Sequence, residues 1–143
     1  MTCFYSNSPQ ETEEFAADLA KKLRKGTVIA LFGGLGMGKT TFIRGFAKGL
    51  GIECDVSSPT FAIVNEYRGI ENSLFHFDMY RVNSWDDLYS TGFFDYIDEG
   101  EFVAVEWSEN VENALPENTV KIIFENADGE DKRKINVLME YEP

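Results

Sequence analysis

The sequence predicts an α/β protein: a mostly parallel central sheet, antiparallel hairpins at its margins, and helices on both faces. Three observations predict it. Two apolar runs of strand length, TVIALF (27–32) and EFVAVEW (101–107), carry the pattern of strands buried on both faces. Segments with helical periodicity separate such runs, and two further pairs of runs flank turn signals as hairpins.

Taken in order, the first element is a helix over 8–26. Ser8 caps it, Pro9 suits its first turn, and Glu11 completes a Ser-x-x-Glu capping box. Phe15, Leu19 and Leu23 recur at i, i+4 and i+8, and Gly26 supplies a stop. After the strand 27–32, TTFIRGFAKGLG (40–51) reads as a second helix. Ile43, Phe46, Ala47 and Leu50 lie on one side of it, and Gly51 ends it. FAIVNEYRG and NSLFHFDMYR flank Gly69–Asn72 as a hairpin, with Phe75, Phe77 and Met79 on one face and His76, Asp78 and Tyr80 on the other. Ser84 caps a short helix, WDDLYSTG. NTVKIIFEN and RKINVLMEY form a second hairpin with Asp128 and Gly129 at its turn.

The 143 residues fit one domain, 1–143, and 43% hydrophobic with 14% aromatic content is globular material. The net charge of -12 disfavours independent binding to a phosphodiester backbone. Cys3 and Cys54 lie in no metal-ligand spacing, and no apolar run reaches membrane-spanning length. A soluble cytoplasmic protein is expected.

The chemistry is concentrated in LFGGLGMGKTTFIRGF (31–46). Gly33-x-x-x-x-Gly38-Lys39-Thr40 is a complete Walker A sequence between a strand and a helix. Its glycines let backbone N–H groups, at Gly33, Gly36, Met37 and Gly38, curl inward around phosphate oxygens. The positive end of the following helix adds to this attraction. Lys39 can bridge the β- and γ-phosphates of ATP or ADP, and the Thr40 hydroxyl can ligate Mg²⁺. Glu106, closing FVAVE, is the leading carboxylate for the metal, because parallel neighbouring strands end at one crevice. Ser57, Ser58 and Thr60 around Pro59 offer hydroxyls, although an ordinary loop before a strand reads the same way. His76, the only histidine, is more often structural in such a place than a base. Asp78 and Arg81, where their strand ends, are better placed to meet a ligand or partner. Trp107 is either core or a reporter of the site. No Asn-Lys-x-Asp sequence provides guanine recognition, and the five arginines form no kinase-like lid.

GGLGMGKTT (33–41), SPTF (58–61), HFDMYR (76–81), LYSTGFFDYI (88–97) and VEWSE (105–109), in this order, resemble the TsaE family, formerly YjeE. Two positions depart from the family pattern: Gly34 replaces a usual acidic residue, and LYSTG alters a leucine-glycine pattern. The resemblance implies a P-loop ATPase needed for threonylcarbamoyladenosine at position 37 of tRNA. It would work with the TsaD and TsaB proteins to drive or reset the transferase cycle, and meet tRNA only through that complex. It further implies that Lys39 binds phosphates, that Thr40 and Glu106 hold Mg²⁺, and that Thr41, Thr60 and Asp78 form a nucleotide-sensing edge with Arg133 approaching the nucleotide. A small-molecule kinase on the same scaffold is the alternative.

Overall fold

The computed structural model describes residues 2–33, 38–53, 56, 63–129 and 132–139. Its strands are β1 (Thr2–Ser6), β2 (Val28–Phe32), β3 (Val64–Arg68), β4 (Ser73–Asp78), β5 (Phe102–Glu106), β6 (Val120–Asn126) and β7 (Arg133–Leu138). Its helices are α1 (Pro9–Lys22), α2 (Lys39–Gly49), α3 (Trp85–Ser90) and α4 (Phe93–Asp98), with 3₁₀ turns over Ser108–Ala114. The strands form a seven-stranded sheet in the order β1-β7-β6-β2-β5-β4-β3. β6, β2, β5 and β4 run parallel, and both margins are closed by antiparallel pairs. The predicted fold class is the observed one.

Alternation along the strands divides the core in two. Ile29, Leu31, Leu74, Phe102 and Ile122 pack under α1 and α2. Val28, Phe75, Phe77, Val103 and Val105 pack under α3, α4 and the 3₁₀ turns. Strands covered on both faces need apolar residues at successive positions, which is why β2 and β5 read as unbroken apolar runs.

The helix ends follow the local chemistry, with two departures from the sequence reading. The Ser8 hydroxyl accepts from the Glu11 N–H at 3.2 Å, as a cap should. The Glu11 carboxylate, however, accepts from the Asn7 N–H at 3.1 Å, one residue earlier than a capping box requires. α1 stops at Lys22 rather than near Gly26, because Leu23 turns extended and buries its side chain. Gly26 (φ +93°) instead follows in the turn closed by the Thr27 N–H on the Arg24 carbonyl. α2 ends in a full Schellman motif: Gly51 at φ +80° donates to the Lys48 carbonyl, and Ile52 to that of Ala47, both at 3.0 Å.

β1, α4 and the 3₁₀ turns are additions to the predicted elements. β1 pairs with β7 alone, and its Phe4 stacks on Phe15 of α1 with ring centroids 4.4 Å apart. On the opposite margin, Tyr96 of α4 and Arg68 of β3 both bond to the Glu66 carboxylate. The tyrosine hydrogen bond first, and then the guanidinium, hold this carboxyl below its usual pKa range.

α1 and α2 approach so closely that Gly45 and Gly49 lie directly against the α1 backbone. A Cβ at Gly45 would strike the backbone of Glu13, and one at Gly49 that of Ala17. Backbone cannot move aside as a side chain can. Gly45→Ala should therefore cost about 2–3 kcal/mol, the upper part of the overpacking range, and lower the thermal midpoint by several degrees. Thermal denaturation followed by circular dichroism checks this. An unchanged midpoint would mean that the helices separate at no cost.

Candidate functional site

The parallel alignment of β2, β5 and β4 places three chain positions at one edge of the sheet. Gly33 follows the end of β2, Glu106 ends β5, and Asp78 ends β4 directly opposite Glu106 in the register. This is the crevice where open α/β sheets take their ligands. Gly38, at φ +87°, turns the chain into α2 and supplies no side-chain cap. Left-handed geometry of that kind suits glycine and costs other residues about 1–2 kcal/mol. The first turn of α2 therefore directs backbone N–H groups at the crevice without a capping oxygen of its own.

Lys39 opens α2 and is only 6% exposed. Its ammonium donates to the Gly33 carbonyl at 2.8 Å and lies 4.6 Å from the centroid of the Trp107 ring. A nearly dry cation needs such compensation, and an indole face supplies about 0.5–2 kcal/mol of it. Trp107 is held in place by its backbone: at φ 58° it is the one non-glycine residue with positive φ among those described. Its ring meets that of Tyr80 at 4.8 Å between centroids. The Asn110 side chain donates to the Met79 and Tyr80 carbonyls at 2.8 and 3.1 Å, pinning the end of β4 to the turn after β5.

Glu106 is 5% exposed, and its Oε2 lies 2.7 Å from Nε2 of His76, itself fully buried. The lone strand histidine thus touches the leading carboxylate of the site. Asp78 is half-buried, and its Oδ1 accepts from the Tyr80 N–H at 2.9 Å, shaping the turn that leaves β4. Thr40 and Thr41 follow Lys39 in the first turn of α2, both half-buried. Arg133 begins β7 opposite Asn126, at the same end of the sheet, but β6 lies between β7 and β2. Its guanidinium donates to the Lys132 carbonyl at 2.9 Å. Gly34, Gly36, Met37, Ser57, Ser58, Pro59 and Thr60 lie outside the described residues.

The structure therefore brings Lys39, Thr40, Glu106 and Asp78 to one edge and sets Arg133 farther along it. The histidine contact, the Asn110 clasp and the packing of Tyr80 on Trp107 were beyond sequence reasoning. Each joins residues about 30 positions apart and exists only once β4 lies beside β5.

Comparisons with known proteins agree on one family. A family model, threonylcarbamoyl adenosine biosynthesis protein TsaE, matches residues 6–135. The tRNA threonylcarbamoyladenosine biosynthesis protein TsaE of Bacillus subtilis (strain 168) is 40% identical over 128 residues, 90% of this chain and 79% of that protein. Its namesake from Treponema pallidum (strain Nichols) is 38% identical over 117 residues, 82% of this chain and 86% of that protein. Among solved structures, Bacillus subtilus YdiB superposes with a TM-score of 0.75 at 33% identity, covering 95% of this chain and 83% of that one.

The left-handed backbone at Trp107 yields a prediction of its own. Alanine there keeps the steric cost of positive φ and loses the indole, whereas glycine loses the indole but relieves the backbone. Trp107→Gly should be more stable than Trp107→Ala by about 1 kcal/mol, an inversion of the usual order within regular elements. Urea unfolding of the two variants measures the difference. Alanine equal to or above glycine would show that position 107 carries no such strain.

Proposed function

The chain belongs to the TsaE family of threonylcarbamoyl adenosine biosynthesis proteins, and from that membership we propose that it serves tRNA threonylcarbamoyladenosine formation as a cytoplasmic Mg²⁺-dependent ATPase of one domain. The observation that carries this reading is the pairing of a nearly buried cation, Lys39, with a nearly buried carboxylate, Glu106, beside the uncapped start of α2. Helix N–H groups and an ammonium recognise phosphate, while a carboxylate beside them would repel phosphate unless a cation stood between. That arrangement suits a nucleotide carrying its own Mg²⁺.

The donors fit the ion. Thr40 and Glu106 present hard oxygens, and Mg²⁺ is usually held by one or two protein oxygens together with substrate phosphates. Among the described residues no three His, Cys, Asp or Glu side chains converge as a protein-only metal cage, and such an ion needs none. When bound, Mg²⁺ neutralises charge on the phosphates and on the transferring group.

The residues of the chain do the rest. Lys39 exchanges the Gly33 carbonyl for phosphate oxygens, a stronger charge-assisted bond. Trp107 keeps one side of the ammonium dry until then. The only glutamine is Gln10, in the first turn of α1, so none follows β2 or β5 to orient an attacking water as in Ras-type enzymes. Hydrolysis by the isolated chain is accordingly slow, and we propose that TsaD and TsaB accelerate it, with tRNA reached only through them. The net charge of -12 supports that division of labour. No helix among the described residues is long and apolar enough to cross a membrane.

Calorimetric titration with Mg²⁺-ATP, and phosphate release with and without TsaB and TsaD, test the proposal. Lys39→Ala should bind ATP at least about tenfold more weakly, since a charged hydrogen bond is worth about 1.5–3 kcal/mol. Glu106→Gln keeps an oxygen that accepts from His76, so its thermal midpoint should stay within a few degrees while Mg²⁺-dependent hydrolysis is lost. Unchanged ATP affinity in Lys39→Ala would overturn the assignment, and phosphate appearing on a small-molecule acceptor would favour a kinase.

Asp78 needs a more discriminating pair. We propose that its charge is read by a partner sensing the bound nucleotide, beyond the acceptor it offers to the Tyr80 N–H. Asp78→Asn preserves that acceptor and removes the charge. It should bind Mg²⁺-ATP as the wild type does and fail in multiple-turnover tRNA modification with TsaB and TsaD. Lost nucleotide binding would instead move Asp78 into the metal site. Full modification activity would confine it to the turn.

A further inference from the structure

His76 stands on the sheet face that carries Leu74, beneath α1 and α2, with none of its surface exposed. Its register partner in β5 is Ala104, whose small side chain leaves room for the imidazole to reach Glu106, the next residue of β5 on that face. There Nε2 meets Oε2 at 2.7 Å. An ionised carboxylate only accepts hydrogen bonds, so Nε2 carries the hydrogen and donates. Nδ1, on the other side of the ring, is buried without a hydrogen bond among the described residues. An apolar side chain at position 76 would fill the same space without leaving an unpaired nitrogen. What the imidazole adds in return is the one bond to Glu106.

We propose that His76 is a positioning residue: its Nε2–H fixes the rotamer of Glu106 so that the carboxylate already faces the phosphate end of the crevice when nucleotide arrives. A glutamate side chain has several rotatable bonds, and ordering them on binding would weaken the metal contact. The hydrogen-bonding partners of metal-ligating groups typically contribute 10–100-fold to metal affinity. The inference rests on the reading of Glu106 as a Mg²⁺ ligand. It assigns to His76 no contact with nucleotide and no proton transfer.

The test measures ADP binding by calorimetry as a function of Mg²⁺ concentration, with EDTA samples as the metal-free reference. The variants are His76→Leu, His76→Asn and His76→Gln. Leucine packs without donating. The asparagine amide stops near the place of Nδ1, whereas the glutamine amide reaches that of Nε2. His76→Leu and His76→Asn should bind ADP in EDTA as the wild type does, yet require at least about tenfold more Mg²⁺ to enhance that binding. His76→Gln should recover most of the wild-type Mg²⁺ dependence. Should the leucine variant fail to fold, the asparagine and glutamine variants decide the matter, being both polar and differing in reach. Identical Mg²⁺ dependence across all folded variants would overturn the positioning role and leave the nucleotide site standing. Absence of ADP binding by the wild-type chain would overturn the nucleotide reading itself.

Discussion

Two opposite charges taken out of water at one edge of the sheet set the terms for the rest of this structure. Lys39 is 6% and Glu106 5% exposed, and an ion so placed must be compensated or it destabilises the fold. The compensations account for much of the local architecture. A carbonyl and an indole face serve Lys39, and an imidazole serves Glu106. Trp107 reaches the ammonium from a left-handed backbone position immediately after Glu106, so the turn that ends β5 serves both charges. The Asn110 side chain then fixes that turn to the end of β4. Strain at one residue is sustained because its surroundings over-determine it.

Such an edge needs a rigid support, which the two-sided core provides. The His76–Glu106 contact depends on a parallel register between β4 and β5 that a slip of one residue would abolish, turning both side chains to the other face. Phe75, Phe77, Val103 and Val105 resist that slip from below, while Leu74, Phe102 and Ala104 resist it from above. α2, which presents Lys39, is held against α1 by the close approach at Gly45 and Gly49. The placement of the ammonium thus traces to a helix contact about two to three turns further along α2. Packing and chemistry are not separable here.

The sequence disclosed most where a local rule operates. The caps at Ser8 and Ser84, the apolar runs of β2 and β5, both hairpins and the glycine end of α2 are all satisfied by residues close in the chain. β1 escaped because TCFYS is a short edge strand whose exposed and buried positions follow no strict alternation. α4 escaped for a different reason. Its N-cap is Gly92 in the left-handed region, which supplies no side-chain signal, and six residues are too few to show a helical period. The site divides in the same way. That Lys39, Thr40 and Glu106 share one edge was legible because a contiguous motif follows one strand and the glutamate closes its neighbour, whereas the contact of His76 with Glu106 is a property of the register between two strands.

The negative charge is not spread evenly along the chain. Between Val82 and Val120 the chain has ten aspartates and glutamates and neither lysine nor arginine, so this stretch holds -10 of the total -12. It comprises α3, α4, β5 and the 3₁₀ turns, and its helices and turns pack over β2, β4 and β5 on one face of the sheet. Counterion release drives proteins onto nucleic acid by matching lysines and arginines to phosphates, and this stretch has none to match. Within the Debye length of about 8 Å at physiological salt, its carboxylates repel a phosphodiester chain. The remainder of the protein is nearly neutral, with all 13 lysines and arginines balanced by 15 acids. The short segment that supplies Glu106 to the candidate site is therefore also the most acidic part of the chain.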